Sequence, residues 1–505
     1  MRLRASKLKM LPLVKSRIYA TFAQFYVFVL GAAGGVCLFS VLPLLLFRYG
    51  VSVTDYQRTL AILSAPWSSQ ALIGAISDTF PVHEWHKKNY LIGALSALSV
   101  ALIGAGVSAS LLAVTGWLFV CSCSAVVIIT LMQGHSAHLI RYFSFPSDLI
   151  PFAYGCEMLG NILAAVIVGF FAQSHRAEHT QVAFFIAVPF VLQGLYPLLV
   201  YPRDAFPGDH RTLDKDDPLV KNGTKPVWFL PVTLRTPCTT NEWRLVWILS
   251  ALGAVCMMLV SLTAASEATA PIILLVTAIA IAGVFYTYPT EPVFYCACSF
   301  ILLRQLVTVN INAAVDGFYV IRDSPLCTTG GPQFGVLFYY TTISALSGVT
   351  GVASAWFYKK VLLGRFTIRS ITQAAIIIGM IGSLFDVCIA LNLNKTIPDS
   401  VVFLIGSGVV SPVGNMLIDM AMVLLVSQRT SDRPTTQLAV YFSFKNLGTI
   451  LSYLAGLLLT VEMGVTADLD VGCQYEQFAR LVLVAEFVMP VFAIALTCVL
   501  LPNTK

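Results

Sequence analysis

Long apolar runs separated by short polar segments make up most of the chain from about residue 24 onward. A helix that crosses a bilayer needs about 20 mostly apolar residues, and only helices and closed barrels satisfy their backbone groups in lipid. The runs are too long and too continuous for barrel strands of about ten residues. They predict fourteen membrane-spanning helices, at roughly 24–47, 58–78, 90–108, 110–133, 150–172, 182–201, 245–264, 270–288, 292–318, 334–358, 370–391, 400–426, 436–460 and 479–501.

Composition excludes the soluble alternative. Length alone would favour about three soluble domains for 505 residues. Hydrophobic residues are 57% and charged residues only 11% of the chain, whereas soluble domains carry about 25% charged residues. The chain is therefore predicted to be an all-α multi-pass membrane protein whose surroundings are a lipid bilayer. We interpret the first apolar run as a retained span and not as a removed signal peptide, because no small-residue cleavage site follows it.

The distribution of basic residues predicts the orientation. If the N-terminus is cytoplasmic, 23 basic residues lie on the cytoplasmic side and 6 outside. An excess of lysine and arginine in cytoplasmic loops is the usual topology signal. Both termini are thus expected in the cytoplasm, with the plasma membrane as the expected location. Two external cysteines, Cys327 and Cys473, could form a disulfide, although sequence alone gives no distance between them.

A short internal similarity predicts a repeat. The heptapeptide that begins at Glu157 and the one that begins at Lys445, 288 residues later, share Leu, Gly, Ile and Leu at matching positions. Coincidence among apolar helices is the alternative, but the alignment of Gly160 with Gly448 favours a repeat. Two six-helix bundles with an inserted helical hairpin would result, as in major facilitator proteins. The predicted units are 1–201, a cytoplasmic loop 202–244, the hairpin 245–288 and a second bundle 289–505.

Ionisable residues inside the predicted spans are the main functional candidates, because burying charge in lipid costs several kcal/mol. Each could instead form a structural ion pair or extend to the interface. Arg304 stands near the middle of its span, where such an extension is hardest, and Asp419 lies on a helix expected to line a cavity. Asp386 and Glu486 map to peripheral helices. The full set is Glu157, Arg304, Asp316, Asp386, Asp419, Lys445 and Glu486.

These charges suggest how a solute would be bound. A guanidinium binds a carboxylate in bidentate fashion and an ammonium offers a point charge, so Arg304 and Lys445 suit an anionic solute. The carboxylates Asp419 and Asp386 complete the predicted binding set. A carboxylate that is buried binds a proton more readily. Glu157 or Asp419 could therefore couple transport to protons, and replacing Asp419 by Asn should then abolish pH dependence.

The loop after the second predicted span has the composition of a gate. Gly74 would let helices approach, Asp78 would mark a cytoplasmic helix end, and the basic pair Lys87 and Lys88 follows in the loop. Such a cluster could hold two bundles together and release them, as alternating access requires. Ordinary positive-inside topology is the alternative reading of the two lysines.

Two motifs resemble the signature of the folate–biopterin transporter family, which belongs to the major facilitator superfamily. The resemblance covers roughly residues 25–500. It implies a secondary transporter for folate or unconjugated pterins, or alternatively for S-adenosylmethionine. The matching residues are Pro66-Trp67, Gly74, Asp78-Thr79-Phe80-Pro81 and Tyr90 in the first motif, and Asp386, Asn392, Asn394, Ile397-Pro398-Asp399 and Phe403 in the second.

Other function classes have little support in the sequence. The chain contains no GxSxG, Walker glycine loop or HExxH motif, so we expect no enzyme activity, no catalytic residue, no metal site and no cofactor. A net charge of +6 arises from cytoplasmic loops and does not indicate nucleic-acid binding. The expected partners are a small-molecule solute and lipid, and the expected state is a monomer. A receptor or channel without turnover remains the alternative from a different class.

Overall fold

The computed structural model describes residues 12–80, 82–83, 85–142, 148–173, 177–206, 240–262, 269–320, 331–335, 337–429, 434–468 and 472–503. Cys327 and most of the predicted 202–244 loop lie outside these residues. Thirteen described helices are long and apolar enough to cross a membrane, which confirms the all-α multi-pass fold. In chain order the first six are α1 Leu13–Leu45, α2 Asp55–Thr79, α3 Lys88–Val107, α4 Leu111–Ile140, α5 Leu149–Ala172 and α6 His179–Val200.

The remaining helices follow the same alternation. A short helix, Pro202–Ala205, comes directly after α6. The later spans are α7 Thr240–Leu259, α8 Thr269–Thr287, α9 Pro292–Val320, α11 Ile368–Ala390, α12 Asp399–Ser427, α13 Thr435–Glu462 and α14 Phe478–Leu500. Between α9 and α11 lies α10, which combines Leu337–Thr342, Ile343–Phe357 and Tyr358–Leu362.

Helix α10 corresponds to the predicted span at 334–358 but is not among the thirteen most apolar helices. Its sequence alternates apolar residues with Ser, Thr and Gly, which lowers its mean hydropathy. Ser347 and Gly351 of this helix line an internal cavity, so this part of α10 faces protein and not lipid. An antiparallel hairpin, β1 Thr466–Asp468 and β2 Gly472–Gln474, was not predicted and lies between α13 and α14.

The helix contacts define two groups. In the first, α1 packs on α5, and α3 packs on α4 and α6; in the second, α9 packs on α13 and α14, and α11 packs on α12. Contacts between the groups run from α5 to α10 and from α2 and α4 to α13. Helices α7 and α8 pack on each other, α7 also on α2 and α13, and α8 on α9 and α13. The division into units predicted from the sequence is compatible with these contacts and stays a prediction.

The two glycines of the proposed repeat make equivalent contacts. A Cβ atom added to Gly160 on α5 would lie 2.7 Å from the Cα of Gly31 on α1. A Cβ added to Gly448 on α13 would lie 2.8 Å from the carbonyl oxygen of Leu302 on α9. Each glycine thus allows the fifth helix of its group to approach the backbone of the first helix. Small residues serve this purpose in membrane helix pairs because lipid provides no hydrophobic force between helices.

The terminal side of the bundle is the end at which α1 begins and α14 ends, and the opposite side is the other end. Because successive spans alternate in direction, Asp148 before α5 and Lys359 in the last part of α10 both lie on the terminal side. The ends of α1 and α9, at Leu45 and Val320, lie on the opposite side.

Candidate functional site

A chamber of about 480 Å³ lies between the two helix groups. Helices α2, α4 and α5 form one wall, and α10, α12 and α13 form the other. The volume is within the usual range of about 300–1,000 Å³ for small-molecule sites. Its walls combine aromatic rings with amides and hydroxyls, notably from Trp67, Gln133, Tyr154, Ser347, Phe442 and Asn446.

Three of the predicted charged residues meet in this chamber. The Nζ of Lys445 donates a 2.8 Å hydrogen bond to Asp419 Oδ1, and both side chains remain about one-quarter exposed or less, at 20% and 26%. Glu157 lines the same chamber, on the wall contributed by α5. Among the described residues, Glu157 accepts no hydrogen bond from a side chain. The chamber therefore holds one paired and one unpaired carboxylate together with a single ammonium.

A second cavity of about 550 Å³ is lined mostly by the second helix group, with Phe39 of α1 also in its wall. It shares Ser407, Ser411 and Asn415 with the central chamber, so the two cavities adjoin along α12. Polar residues from α9, α11 and α14 line it, among them Arg304, Asp316, Asp386 and Glu486. The two cavities together contain every ionisable residue that the sequence placed inside the spans.

Arg304 and Asp386 therefore do not enter the central chamber. Arg304 is 8% exposed and donates to Gln305 Oε1 at 2.6 Å and to Asn415 Oδ1 at 3.1 Å. Asp386 is 6% exposed and accepts a 2.6 Å hydrogen bond from the hydroxyl of Tyr319. The predicted wall that combined Arg304 with Lys445 is thus divided between adjoining cavities. Asn415 lines both cavities and connects them.

A third, mainly apolar cavity of about 240 Å³ lies within the first helix group. It shares Trp67, Ile129 and Glu157 with the central chamber. Leucine side chains of α2, α3 and α4 make up much of its wall. The carboxylate of Glu157 therefore stands where a polar chamber meets an apolar one.

Two residues of the predicted gate, Asp78 and Gly74, contact α13 on the terminal side of the bundle. Asp78 at the end of α2 accepts hydrogen bonds from the backbone N–H of Thr436 at 3.0 Å and from its hydroxyl at 2.9 Å. These bonds satisfy a free amide in the first turn of α13, where the helix dipole also favours a negative charge. A Cβ on Gly74 would lie 2.7 Å from the Cβ of Ala439, so the two helices approach closely there.

The two predicted gate lysines lie just before and at the start of α3. The side chain of Lys87 is buried, with 7% of its surface exposed. The Nζ of Lys88 stands 4.9 Å from the ring centroid of Trp85, within the range of a cation–π contact. Their place beside the end of α2 agrees with a gate position, and their role in gating stays a prediction.

A second contact between the groups on the terminal side is ionic. The Nζ of Lys359 on α10 lies 2.8 Å from Asp148 Oδ2, and the hydroxyl of Tyr19 on α1 lies 3.1 Å from Asp148 Oδ1. Burial raises the pKa of Asp148, but the hydrogen bonds and positive charge around it, chiefly from Lys359, outweigh this and bring its pKa below the ordinary 3.8. Asp148 is thus ionised throughout the neutral range.

We expect replacement of Asp148 by Asn to open the terminal side slightly, at all pH values between about 5 and 8. A carboxylate with a lowered pKa stabilises its contact fully at pH values above its ordinary pKa. This stabilisation is lost only as the pH falls through the lowered pKa. Because the pair is partly exposed, its contribution is about 0–1 kcal/mol, or up to about fivefold in an opening equilibrium. The measurement is the labelling rate of a cysteine at Ser347 by a reagent applied from the terminal side.

The matched control for this prediction is Asp55→Asn. Asp55 pairs with Arg58 at 2.7 Å within one helix and therefore does not connect the two groups. Its replacement should leave the labelling rate unchanged. A rate enhancement in Asp148→Asn that disappears between about pH 8 and about pH 5 would contradict the assignment of a lowered pKa.

Several chamber residues were not identified from the sequence. Gln70, Gln133, Asn415 and Asn446 are uncharged polar residues within apolar runs, and all four line the central chamber. Amide side chains inside membrane helices usually face other helices or a cavity and not lipid. Their polarity was the available signal, whereas the predicted set contained only ionisable groups.

Comparison with solved structures gives the fold class. A bacterial homologue of the human drug peptide transporters PepT1 and PepT2 superposes with a TM-score of 0.59 at 14% identity, over 96% of this chain and 97% of that one. A POT family transporter in complex with 5-aminolevulinic acid gives 0.62 at 11% identity, over 97% and 95%. The human organic anion transporter MFSD10 (TETRAN) gives 0.61 at 12% identity, over 97% and 100%. No curated protein matches the chain in sequence.

These structures share the fold, and they are transporters and not enzymes, as the sequence motifs led us to expect. The chain is a multi-pass membrane protein with the fold that these transporters share. The resemblance to the folate–biopterin transporter family is corrected, because the comparisons return the BT1 family and peptide transporters of the POT family. In the first motif, Gly74 allows close helix packing and Asp78 caps α13, so neither residue indicates a cargo. The predicted cargoes, namely folate, biopterin and S-adenosylmethionine, lose the support of that resemblance.

The family model establishes where the chain belongs. It matches residues 30–505, which include all fourteen helices except the beginning of α1. The chain is a member of the BT1 family.

Proposed function

We propose that the chain is a proton-coupled secondary transporter for small zwitterionic organic solutes, with short peptides as the first class to test. The central chamber is the observation that carries this proposal. It lies between two helix groups that contact each other on both sides of it, and it presents Lys445, Asp419 and Glu157 to its contents. A site between two bundles is the arrangement that alternating access requires.

The Lys445–Asp419 pair supplies the selectivity for a zwitterion. A solute that binds between the two side chains must separate them, which is costly if either charge is left without a partner. A solute carboxylate at Lys445 and a solute ammonium at Asp419 replace both partners at once. A solute with a single charge or none leaves at least one buried charge uncompensated. The pair thus favours solutes that carry both charges.

Glu157 is the better candidate for proton coupling. Asp419 accepts a 2.8 Å hydrogen bond from Lys445, so its carboxylate already has a cationic partner. Glu157 has no such side-chain donor among the described residues, and it lies where the chamber meets an apolar cavity. A carboxylate that borders apolar walls and has no hydrogen-bonded cation binds a proton more readily than one that a lysine holds. Proton binding there removes a negative charge from the chamber during the cycle.

Solved relatives of the fold supply independent support for the solute class. Their descriptions record POT family transporters in complex with a thioalcohol-conjugated peptide and with 5-aminolevulinic acid. Both ligands are small organic molecules. For this chain, the mixed charge of the chamber is the physical reason to test the same class.

The test is uptake of radiolabelled dialanine into proteoliposomes with and without an imposed proton gradient. We expect the gradient to drive accumulation, and we expect counterflow against unlabelled dialanine without a gradient. Glu157→Gln should retain counterflow within about twofold while losing at least about tenfold of the gradient-driven accumulation, a difference of about 1.4 kcal/mol. Counterflow also separates a carrier from a receptor, which does not exchange solute.

The controls address charge and coupling separately. Dialanine with both termini blocked has the same side chains without the charges, and it should not compete. Asp419→Asn tests the alternative coupling residue and should impair counterflow itself. Transport of an organic anion but of no zwitterion, or full gradient coupling in Glu157→Gln, would contradict the proposal.

We also propose that the terminal side faces the cytoplasm of cells in which the protein resides in the plasma membrane. The excess of 23 basic residues over 6 supports this orientation. Staining of a C-terminal tag in intact cells would contradict it.

A further inference from the structure

Helix α9 is interrupted within the membrane. One helical part, Pro292–Val307, ends before residues 308–311, and a second part, Asn312–Val320, continues toward the opposite side. Backbone groups freed by a break must find other partners, because lipid offers none. Here Gln57 of α2 supplies two of them, since its Nε2 donates to the Asn310 carbonyl at 2.9 Å and its Oε1 accepts from the Ala313 N–H at 3.1 Å.

The break is also bound to α13. The Asn310 N–H donates to the Ser452 carbonyl at 3.3 Å, and the Ser452 hydroxyl donates to the Thr308 carbonyl at 2.7 Å. Thus the first helix group, through α2, and two helices of the second group meet at one place. This junction lies between the central chamber and the opposite side of the bundle. It belongs neither to the chamber nor to the predicted gate.

Asp316, one turn into the second part of α9, is the ionisable residue at this junction. Its Oδ2 accepts a 3.0 Å hydrogen bond from the Tyr56 hydroxyl of α2, and its Oδ1 accepts a 2.5 Å bond from the Tyr339 hydroxyl of α10. The carboxylate therefore joins the two helix groups through the residue next to Gln57. The side chain also lines the second cavity.

No cation forms an ion pair with Asp316 in the part of the chain that the structure describes. Its two hydrogen-bond donors are phenols, and the other groups that face it electrostatically are also tyrosines, one on α13 and one after β2. Around the second cavity stand one cation and two further carboxylates. The tyrosines are Tyr56, Tyr339, Tyr453 and Tyr475, the cation is Arg304, and the carboxylates are Asp386 and Glu486.

We propose that Asp316 is a proton-operated latch on the opposite side, which closes when its carboxylate binds a proton. The proposal rests on the proposed function only in assuming alternating access. When the two groups separate on this side, water reaches the carboxylate and solvates its charge. When they close, the carboxylate loses water and gains no cation from the described part of the chain. The two phenol donors stabilise its charged form in part, but the loss of water outweighs them, so the protonated acid is the form that closure favours. A protonated Asp316 still accepts from one tyrosine and donates to the other.

This arrangement links closure to proton uptake from the opposite side. By linkage, a change that takes up one proton shifts its equilibrium by at most tenfold per pH unit. Low pH on the opposite side should therefore favour closure there and so the opening of the terminal side. Asp148 on the terminal side stays ionised over the same range, so its contact with Lys359 does not contribute to this pH response.

The experiment measures access from the opposite side without any solute. A cysteine at Ser344, in the wall of the second cavity, is labelled by a membrane-impermeant thiol reagent applied from that side. The same chain without this cysteine gives the background. Labelling is compared between the parent and Asp316→Asn at each pH, and their ratio cancels the ionisation of the thiol itself. We expect the ratio to rise about three- to tenfold from about pH 5 to about pH 8.

Tyr56→Phe is the second variant, because it removes the hydrogen bond across the groups while leaving Asp316 in place. It should increase labelling at about pH 5 toward the value that the parent shows at about pH 8. A ratio that does not change with pH, or a Tyr56→Phe variant labelled like the parent at low pH, would overturn the proposal. Since no solute is used, a failure of peptide transport leaves this test intact, and a failed latch leaves the transport test intact.

Discussion

Replacing Lys445 by alanine is expected to reduce dialanine counterflow at least about tenfold, which corresponds to about 1.4 kcal/mol. The substitution removes the only hydrogen-bonded ammonium of the chamber described here and leaves Asp419 without its 2.8 Å partner. An uncompensated, partly buried carboxylate is unfavourable, and the chamber then lacks the group that would bind a solute carboxylate. The measurement is counterflow in proteoliposomes, normalised to the amount of inserted protein.

A charge exchange distinguishes binding from folding. The double variant Lys445→Asp with Asp419→Lys keeps an ion pair, so the yield of folded protein should return to that of the parent. Counterflow should stay low, because the ammonium now stands on α12 and the carboxylate on α13, which reverses the orientation offered to the solute. If the double variant transports as well as the parent, the pair has a purely structural role.

The position of this pair was partly accessible from the sequence. Glu157 and Lys445 each stand three residues before the glycine that packs the helix onto its partner. Residues three apart lie on neighbouring positions of a helix surface. Two helices that use the same glycine for the same contact therefore present the preceding charge in corresponding directions, and both charges line the central chamber. The repeat carried this information even though it spans only seven residues.

The division of the charges between cavities was not accessible in this way. Arg304 belongs to the last turn before the break in α9, and its carbonyl accepts the hydrogen bond of the Thr308 N–H. Residues 308–311 contain neither glycine nor proline, so no local signal marks the break. The break is defined by Gln57 and Ser452, which are distant in sequence, and these tertiary contacts outweigh helix propensity.

Replacing Gly160 by leucine is expected to prevent stable packing of α5 on α1. The added Cβ would lie 2.7 Å from Gly31 Cα and 2.8 Å from the Ala32 nitrogen, and these are backbone atoms that cannot rotate away. Overpacking of this kind costs about 3 kcal/mol when a backbone must move. We expect a large loss of monodisperse protein in detergent and a lower melting temperature for what remains, measured by size-exclusion chromatography and thermal unfolding.

Gly155→Leu on the same helix is the matched control, because a Cβ at Gly155 meets no atom within 4 Å. The two variants add the same apolar side chain to the same span, so insertion into the membrane should be equal. A difference between them therefore reports the α1–α5 contact alone. Gly448→Leu should resemble Gly160→Leu, because its Cβ would lie 2.8 Å from the Leu302 carbonyl oxygen of α9. If Gly160→Leu has the same melting temperature as Gly155→Leu, the close approach of α1 and α5 is not required for the fold.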